Sequence, residues 1–237
     1  MAISVAYLMN ILIPKSGEIS RGVILDKYEK VPFEKGFGTI ISERIVDLIF
    51  LLGIASVALL LKFELLAKYI SKSIPSSLFY TVIIGIFGIG VCILIFIKYS
   101  KSRANMKFRN FMKGLKDGIL SVLKMKKKGA FIFHTFLIWG LYLLSFYTAL
   151  FALEETTTIT FGTIITAFAV GSFTFAFTNS GFGTYPAALA GILSVFGVSK
   201  TVGVAFGWIV WTSNIASIVI FGCISLLLLP FYNSSKS

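Results

Sequence analysis

Residues 39–61 read TIISERIVDLIFLLGIASVALLL. The only ionisable groups in this run are Glu43, Arg44 and Asp47, all in its first half. As a helix it rises about 35 Å at 1.5 Å per residue, enough to cross roughly 30 Å of hydrocarbon. A membrane strand would need only about ten residues, with alternating polarity. This run is about twice that length and apolar on both faces, so it reads as a helix. Working outward, further long apolar runs lie at 78–97, 130–153, 159–178 and 204–229, the last ending at Pro230. Two short ones, 1–13 and 186–198, cannot span by themselves. Composition agrees: 57% of residues are hydrophobic and 14% charged, against about 45–50% and 25% in soluble domains. The expected fold is all-α, a single integral membrane domain over residues 1–237 with several crossings and no soluble domain.

The net charge of +12 is concentrated rather than spread. Residues 98–128 hold eleven Lys and Arg against one acid, Asp117. The positive-inside rule puts this loop in the cytoplasm and the turn with Glu154 and Glu155 outside. Residues 15–35 then fall inside. Within the loop, Phe108, Phe111, Met112, Leu115, Ile119, Val122 and Leu123 recur every three or four residues, which predicts an amphipathic helix lying at the inner interface. Basic charge in this setting points to membrane lipids as partners and away from nucleic acid. Cys92 and Cys223 sit inside apolar runs without metal-ligand spacing, and His134 has no carboxylate or thiol at such spacing, so no metal or cofactor is expected. No nucleophile–base pair or phosphate loop is recognisable, and the balance leans away from an enzyme.

Charges inside a membrane cost roughly 2.5–3.5 kcal/mol each at a helix centre. Glu43, Arg44 and Asp47 are spaced to share one side of their helix, and a polar cavity is expected to face them. Two interrupted segments accompany them. Asn10-Ile-Leu-Ile-Pro14-Lys-Ser-Gly17-Glu18-Ile-Ser-Arg21 and Thr178-Asn179-Ser-Gly181-Phe-Gly183-Thr-Tyr185-Pro186 each put Asn, Gly, Pro and Ser between short apolar runs. Non-helical backbone at membrane depth must be satisfied by protein or by a water-filled cavity. Short, Gly/Pro-interrupted segments in corresponding positions of two halves point to a transporter-type site. The expected arrangement is therefore two re-entrant or broken helical segments, a pattern that admits an inverted repeat. Gly203 and Gly207, and Thr163, Ala167 and Gly171, are spaced four apart, as close helix packing requires.

The order and spacing of Pro14-Lys-Ser-Gly17-Glu18-Ile-Ser-Arg21, Ser42-Glu43-Arg44-Ile-Val-Asp47 and Asn179-Ser-Gly181-Phe-Gly183-Thr-Tyr185 resemble the lysylphosphatidylglycerol synthase transmembrane family, over nearly the whole chain. The resemblance implies a multi-pass protein of a bacterial or archaeal plasma membrane that handles anionic or lipid-linked substrates, a flippase-like lipid transporter. Family members carry apolar helices ahead of the Pro-Gly-Glu element, so the chain reads as short at its N-terminus. The soluble synthetase domain of the bifunctional members has no counterpart here. Glu18, Arg21, Glu43, Arg44 and Asp47 are expected to supply the inner side of a substrate site, and Asn179, Gly181, Gly183 and Tyr185 its outer tip. The alternative is a membrane-embedded accessory subunit or partner of a lipid-modifying transferase.

Overall fold

The computed structural model describes residues 1–65 and 127–233. The expected span at 78–97, almost all of the basic loop at 98–128 with its amphipathic helix, and Cys92 lie outside the described residues.

All the regular structure among the described residues is helical. We number the α-helices in chain order: α1 Ala2–Leu12, α2 Gly17–Glu29, α3 Phe33–Leu61, α4 Lys128–Ala149, α5 Phe161–Phe177, α6 Thr184–Val195 and α7 Lys200–Asn233. Two short 3-10 turns, Leu150–Ala152 and Glu154–Thr156, join α4 to the segment before α5. Among the described residues, three helical stretches are long and apolar enough to cross a membrane: Phe33–Leu61, Lys128–Ala152 and Lys200–Asn233. Ala2–Leu12, Phe161–Phe177 and Thr184–Val195 are apolar but shorter. Together they make a multi-pass helical membrane bundle.

Two boundaries differ from the sequence expectation. Residues 17–29, read as a polar connection, form α2. Gly17 and Gly22 do not break it, because both are used for close approach. A Cβ on Gly17 would strike the Ala6 carbonyl and the Asn10 side chain, and one on Gly22 would lie 2.7 Å from the Phe33 ring. Pro230 does not end the last helix but lies within α7. A proline removes one backbone bond, and membrane helices tolerate this where neighbouring groups re-satisfy the freed carbonyl.

Both expected breaks are present. Between α1 and α2 the chain turns at residues 13–16, with Lys15 at φ 58°. Between α5 and α6 it turns at residues 178–183, where Ser180, Gly181 and Gly183 take φ values of 54°, 69° and 68°. This left-handed region is strained for side chains with a Cβ and open to glycine, which explains the Gly-x-Gly pattern.

The core lies between α4, α5, α6 and α7. Phe146, Phe168, Leu189, Leu193 and Phe206 form its centre, and Leu189 and Phe206 are fully buried. The glycine spacing does what it predicts. Gly207 approaches so closely that a Cβ there would overlap Pro186, and a Cβ on Gly203 would lie 2.7 Å from Ala190 Cα. Gly207→Ala is therefore expected to cost about 1–3 kcal/mol by overpacking. Gly191→Ala, on α6 where nothing lies within 4 Å of the new methyl, should be neutral or stabilising by up to about 1 kcal/mol. Unfolding in mixed micelles compares the two.

Candidate functional site

α1, α2 and α3 meet around an open cleft with about 290 Å³ of empty space, including its mouth. It is lined by Tyr7 and Asn10 from α1, by Gly17, Glu18 and Arg21 from α2, and by Arg44 from α3. The hairpin that builds it is locked locally. Asn10 Oδ1 accepts the backbone N–H of Gly17 at 2.7 Å. The Ser16 hydroxyl donates to the carbonyls of Met9 and Ile13 at 3.0 and 2.8 Å. These bonds satisfy backbone groups released where α1 stops and α2 starts.

The five charged residues expected on one side of the site sort into two pairs and a single residue. Arg21 grips Glu43 with both guanidinium nitrogens, Nη1 to Oε2 at 2.5 Å and Nη2 to Oε1 at 3.0 Å. Their side chains are 15% and 33% exposed. This fork-on-fork bond ties α2 to α3 and uses most of the donor capacity of Arg21. Arg44 meets Asp47 on the same helix through one contact of 3.2 Å, and its side chain remains 46% exposed. Glu18 stands in the cleft with no cation in salt-bridge range among the described residues, while Arg44 is near enough to feel its charge.

Asp47 is the midpoint of α3, fourteen residues from each end of Phe33–Leu61, or about 21 Å along the axis each way. A carboxylate there needs partners. Besides Arg44 it accepts a long bond from Trp139 Nε1 on α4, at 3.4 Å. Trp139, which stands in an apolar run of the sequence, thus belongs to the charged site. The available signal was the indole N–H itself, which seeks an acceptor when it lies in an apolar run. Tyr7 and Tyr142, whose hydroxyls lie 3.5 Å apart, were also missed.

The second set of expected residues lies around the other break. Asn179 and Gly183 are exposed there, and Gly181 is buried with its Cα side facing Tyr185 and Trp211. Tyr185 is only 4% exposed, its ring packed on Phe175 at 4.9 Å and against Gly171. These residues do not line the α1–α2–α3 cleft. The two breaks touch where the Ser180 hydroxyl reaches the Asn10 carbonyl at 3.5 Å. Trp211 Nε1 pins the turn by donating to the Ser180 carbonyl at 2.7 Å. Asn214 donates to the Val210 carbonyl of its own helix at 2.9 Å. His134 Nδ1 lies 2.6 Å from the Ala130 carbonyl, one turn back, in keeping with a structural role. No group of three or more metal-ligating side chains occurs among the described residues.

Broken apolar helices, three long spans among the described residues and a charged cleft beside α3 make this a polytopic helical membrane protein. The family model described as the lysylphosphatidylglycerol synthase TM region matches residues 1–222, and the chain belongs to that family. No curated protein and no solved structure matches it.

Proposed function

We propose that this protein moves a phosphate-bearing lipid headgroup through the bilayer while the acyl chains remain in lipid. One observation carries the reading: Arg44, its side chain half exposed, paired with Asp47 at 3.2 Å and within reach of the Tyr7 hydroxyl, opens onto a cleft near the centre of a membrane-spanning helix. Arginine offers five donors in a planar fork that suits phosphate. Arg21 is occupied by Glu43 through two bonds, whereas Arg44 holds its carboxylate partner, Asp47, through one. Glu18 adds a carboxylate with no cation partner among the described residues, so a headgroup that also bears a protonated amine satisfies both sides of the cleft.

The internal pattern supports alternating exposure of this cleft. Each half runs short helix, break, short helix, long helix: α1, α2, α3, then α5, α6, α7. The packing exchanges between halves, since α1 packs on α7 and α5 packs on α3. Arg44 and Asp47 stand twelfth and fifteenth in α3, and Trp211 and Asn214 stand twelfth and fifteenth in α7. We read this as an inverted repeat with a re-entrant hairpin in each half. By charge, the first hairpin enters from the cytoplasm and the second from outside, with the plasma membrane as the site of action.

The test is reconstitution into vesicles carrying headgroup-labelled phosphatidylglycerol and phosphatidylethanolamine, bleached from outside by an impermeant reductant. Transport brings bleaching well past the half contributed by the outer leaflet. A second reading comes from the family's description as part of a synthase: a membrane partner of a lipid-modifying transferase. That reading gains if bleaching stops at half while the protein co-purifies with such an enzyme.

A further inference from the structure

Beside the cleft, side chains of α4 reach α1 and α3. The backbones of α1 and α4 are not in extended contact, nor are those of α3 and α4. What joins α4 to α3 is a bridge of long side chains. Phe50 meets Phe136 edge to face at 4.8 Å between ring centres and stacks on Trp139 at 6.4 Å, and Trp139 reaches Asp47. Among the described residues the hydrogen bond between α4 and α1 is the hydroxyl pair of Tyr7 and Tyr142, at 3.5 Å, the outer limit of such a bond. Tyr7 also lines the cleft beside Arg44. A tyrosine pair, an indole N–H and an ion pair thus meet near mid-span, where lipid-facing surface would otherwise be apolar. A polar group in hydrocarbon is costly unless it is bonded, and a bond at 3.5 Å is weak.

We propose that Tyr7 and Tyr142 form a lateral gate between α1 and α4, through which the headgroup of a membrane phospholipid passes to Arg44 while its chains stay in the bilayer. The inference rests on the lipid-transport reading and deepens it by assigning the route. Aromatic side chains suit the task, with an apolar body toward the chains and a polar tip toward the headgroup. Parting the two hydroxyls breaks one weak bond and exposes two groups that can each bond a passing phosphate ester. Trp139 is then a positioning residue, holding Asp47 so that Arg44 stays turned to the gate.

Photo-crosslinking tests this without relying on transport. The full-length protein carries p-benzoylphenylalanine in place of Tyr142 or, separately, of Leu144, which is 54% exposed on the same helix. Both are irradiated in phosphatidylglycerol–phosphatidylethanolamine vesicles, and the adducts are mapped by fragmentation. The Leu144 probe should capture acyl chains only. The Tyr142 probe should also capture the glycerol–headgroup part, and Arg44→Gln should reduce that fraction about tenfold, as loss of a charged hydrogen bond implies. Acyl-chain adducts alone at both sites would overturn the gate. A second arm joins Tyr7→Cys to Tyr142→Cys with a photocleavable bis-maleimide linker, in a background of Cys92→Ser and Cys223→Ser. Linking should arrest bleaching, and photocleavage before the labelled lipid is added should restore it. Transport that continues with the linker in place refutes the gate and leaves the flippase reading standing. Headgroup adducts without transport in any variant keep the gate as a lipid-binding portal and remove the flippase reading.

Discussion

Arg44→Gln is expected to lower lipid translocation about tenfold or more while changing stability by about 1 kcal/mol or less. The two effects separate because the carboxylate partner of Arg44 is a neighbour three residues along its own helix, and the Arg44 side chain, beside Tyr7, remains half exposed. Pairs of that kind contribute little to folding. A ligand phosphate, by contrast, draws charge-assisted bonds from the fork, and losing one such bond costs about 1.5–3 kcal/mol of binding. Asp47→Asn should behave similarly but more mildly, since Asn keeps an acceptor for Trp139. Initial bleaching rates in vesicles, read beside unfolding in mixed micelles, check both halves. A translocation rate within twofold of the unmodified protein would remove Arg44 from the route.

The opposite outcome is expected at the other ion pair. Arg21 and Glu43 make two bonds across α2 and α3, with Arg21 largely buried. Removing one partner leaves a charge without its counter-charge, which costs about 3–5 kcal/mol for a fully buried pair. With Glu43 one-third exposed, about 2–3 kcal/mol is the expected loss for Arg21→Gln or Glu43→Gln. The reversed pair, Arg21→Glu with Glu43→Arg, should recover at least half of it, because the fork meets a carboxylate again. Unfolding of the four variants in mixed micelles measures the coupling. Additive losses, with no recovery on reversal, would show that the pair does not join the helices.

These expectations distinguish residues that adjoin in sequence. Glu43 and Arg44 were legible as charges that a membrane helix must account for. Their different duties were not, because the partner of Glu43 lies on α2, and residues 17–29 do not read as a helix. Five charged side chains and two glycines give that stretch no apolar stripe. What makes it helical is packing: Gly17 on Ala6, Gly22 on Phe33 and Arg21 on Glu43. The long spans were legible because bilayer crossing demands length and apolarity together. The breaks were legible because Gly181 and Gly183 occupy backbone conformations that favour glycine. Tyr7, Trp139 and Tyr142 were not legible as site residues. Each is an amphipathic aromatic in an apolar run, and only the meeting of α1, α3 and α4 puts their polar tips together. Tyr185 shows the converse, a polar-tipped residue beside a break whose ring the fold buries against Gly171 and Phe175.

The central claim is that a polar path reaches Arg44 at the depth of the membrane. Its most direct test is thiol accessibility in membrane vesicles of known orientation, in the Cys92→Ser, Cys223→Ser background. Arg44→Cys is compared with Leu48→Cys, one turn along α3 and 46% exposed on the lipid-facing surface. A charged, impermeant methanethiosulfonate reagent is applied to the cytoplasmic face. The account predicts rapid modification at position 44, slowed by a soluble glycerophosphate headgroup, and none at position 48. Equal protection of both positions from reagent on either face would contradict it, because Arg44 would then lie in hydrocarbon or closed protein and no headgroup could reach it.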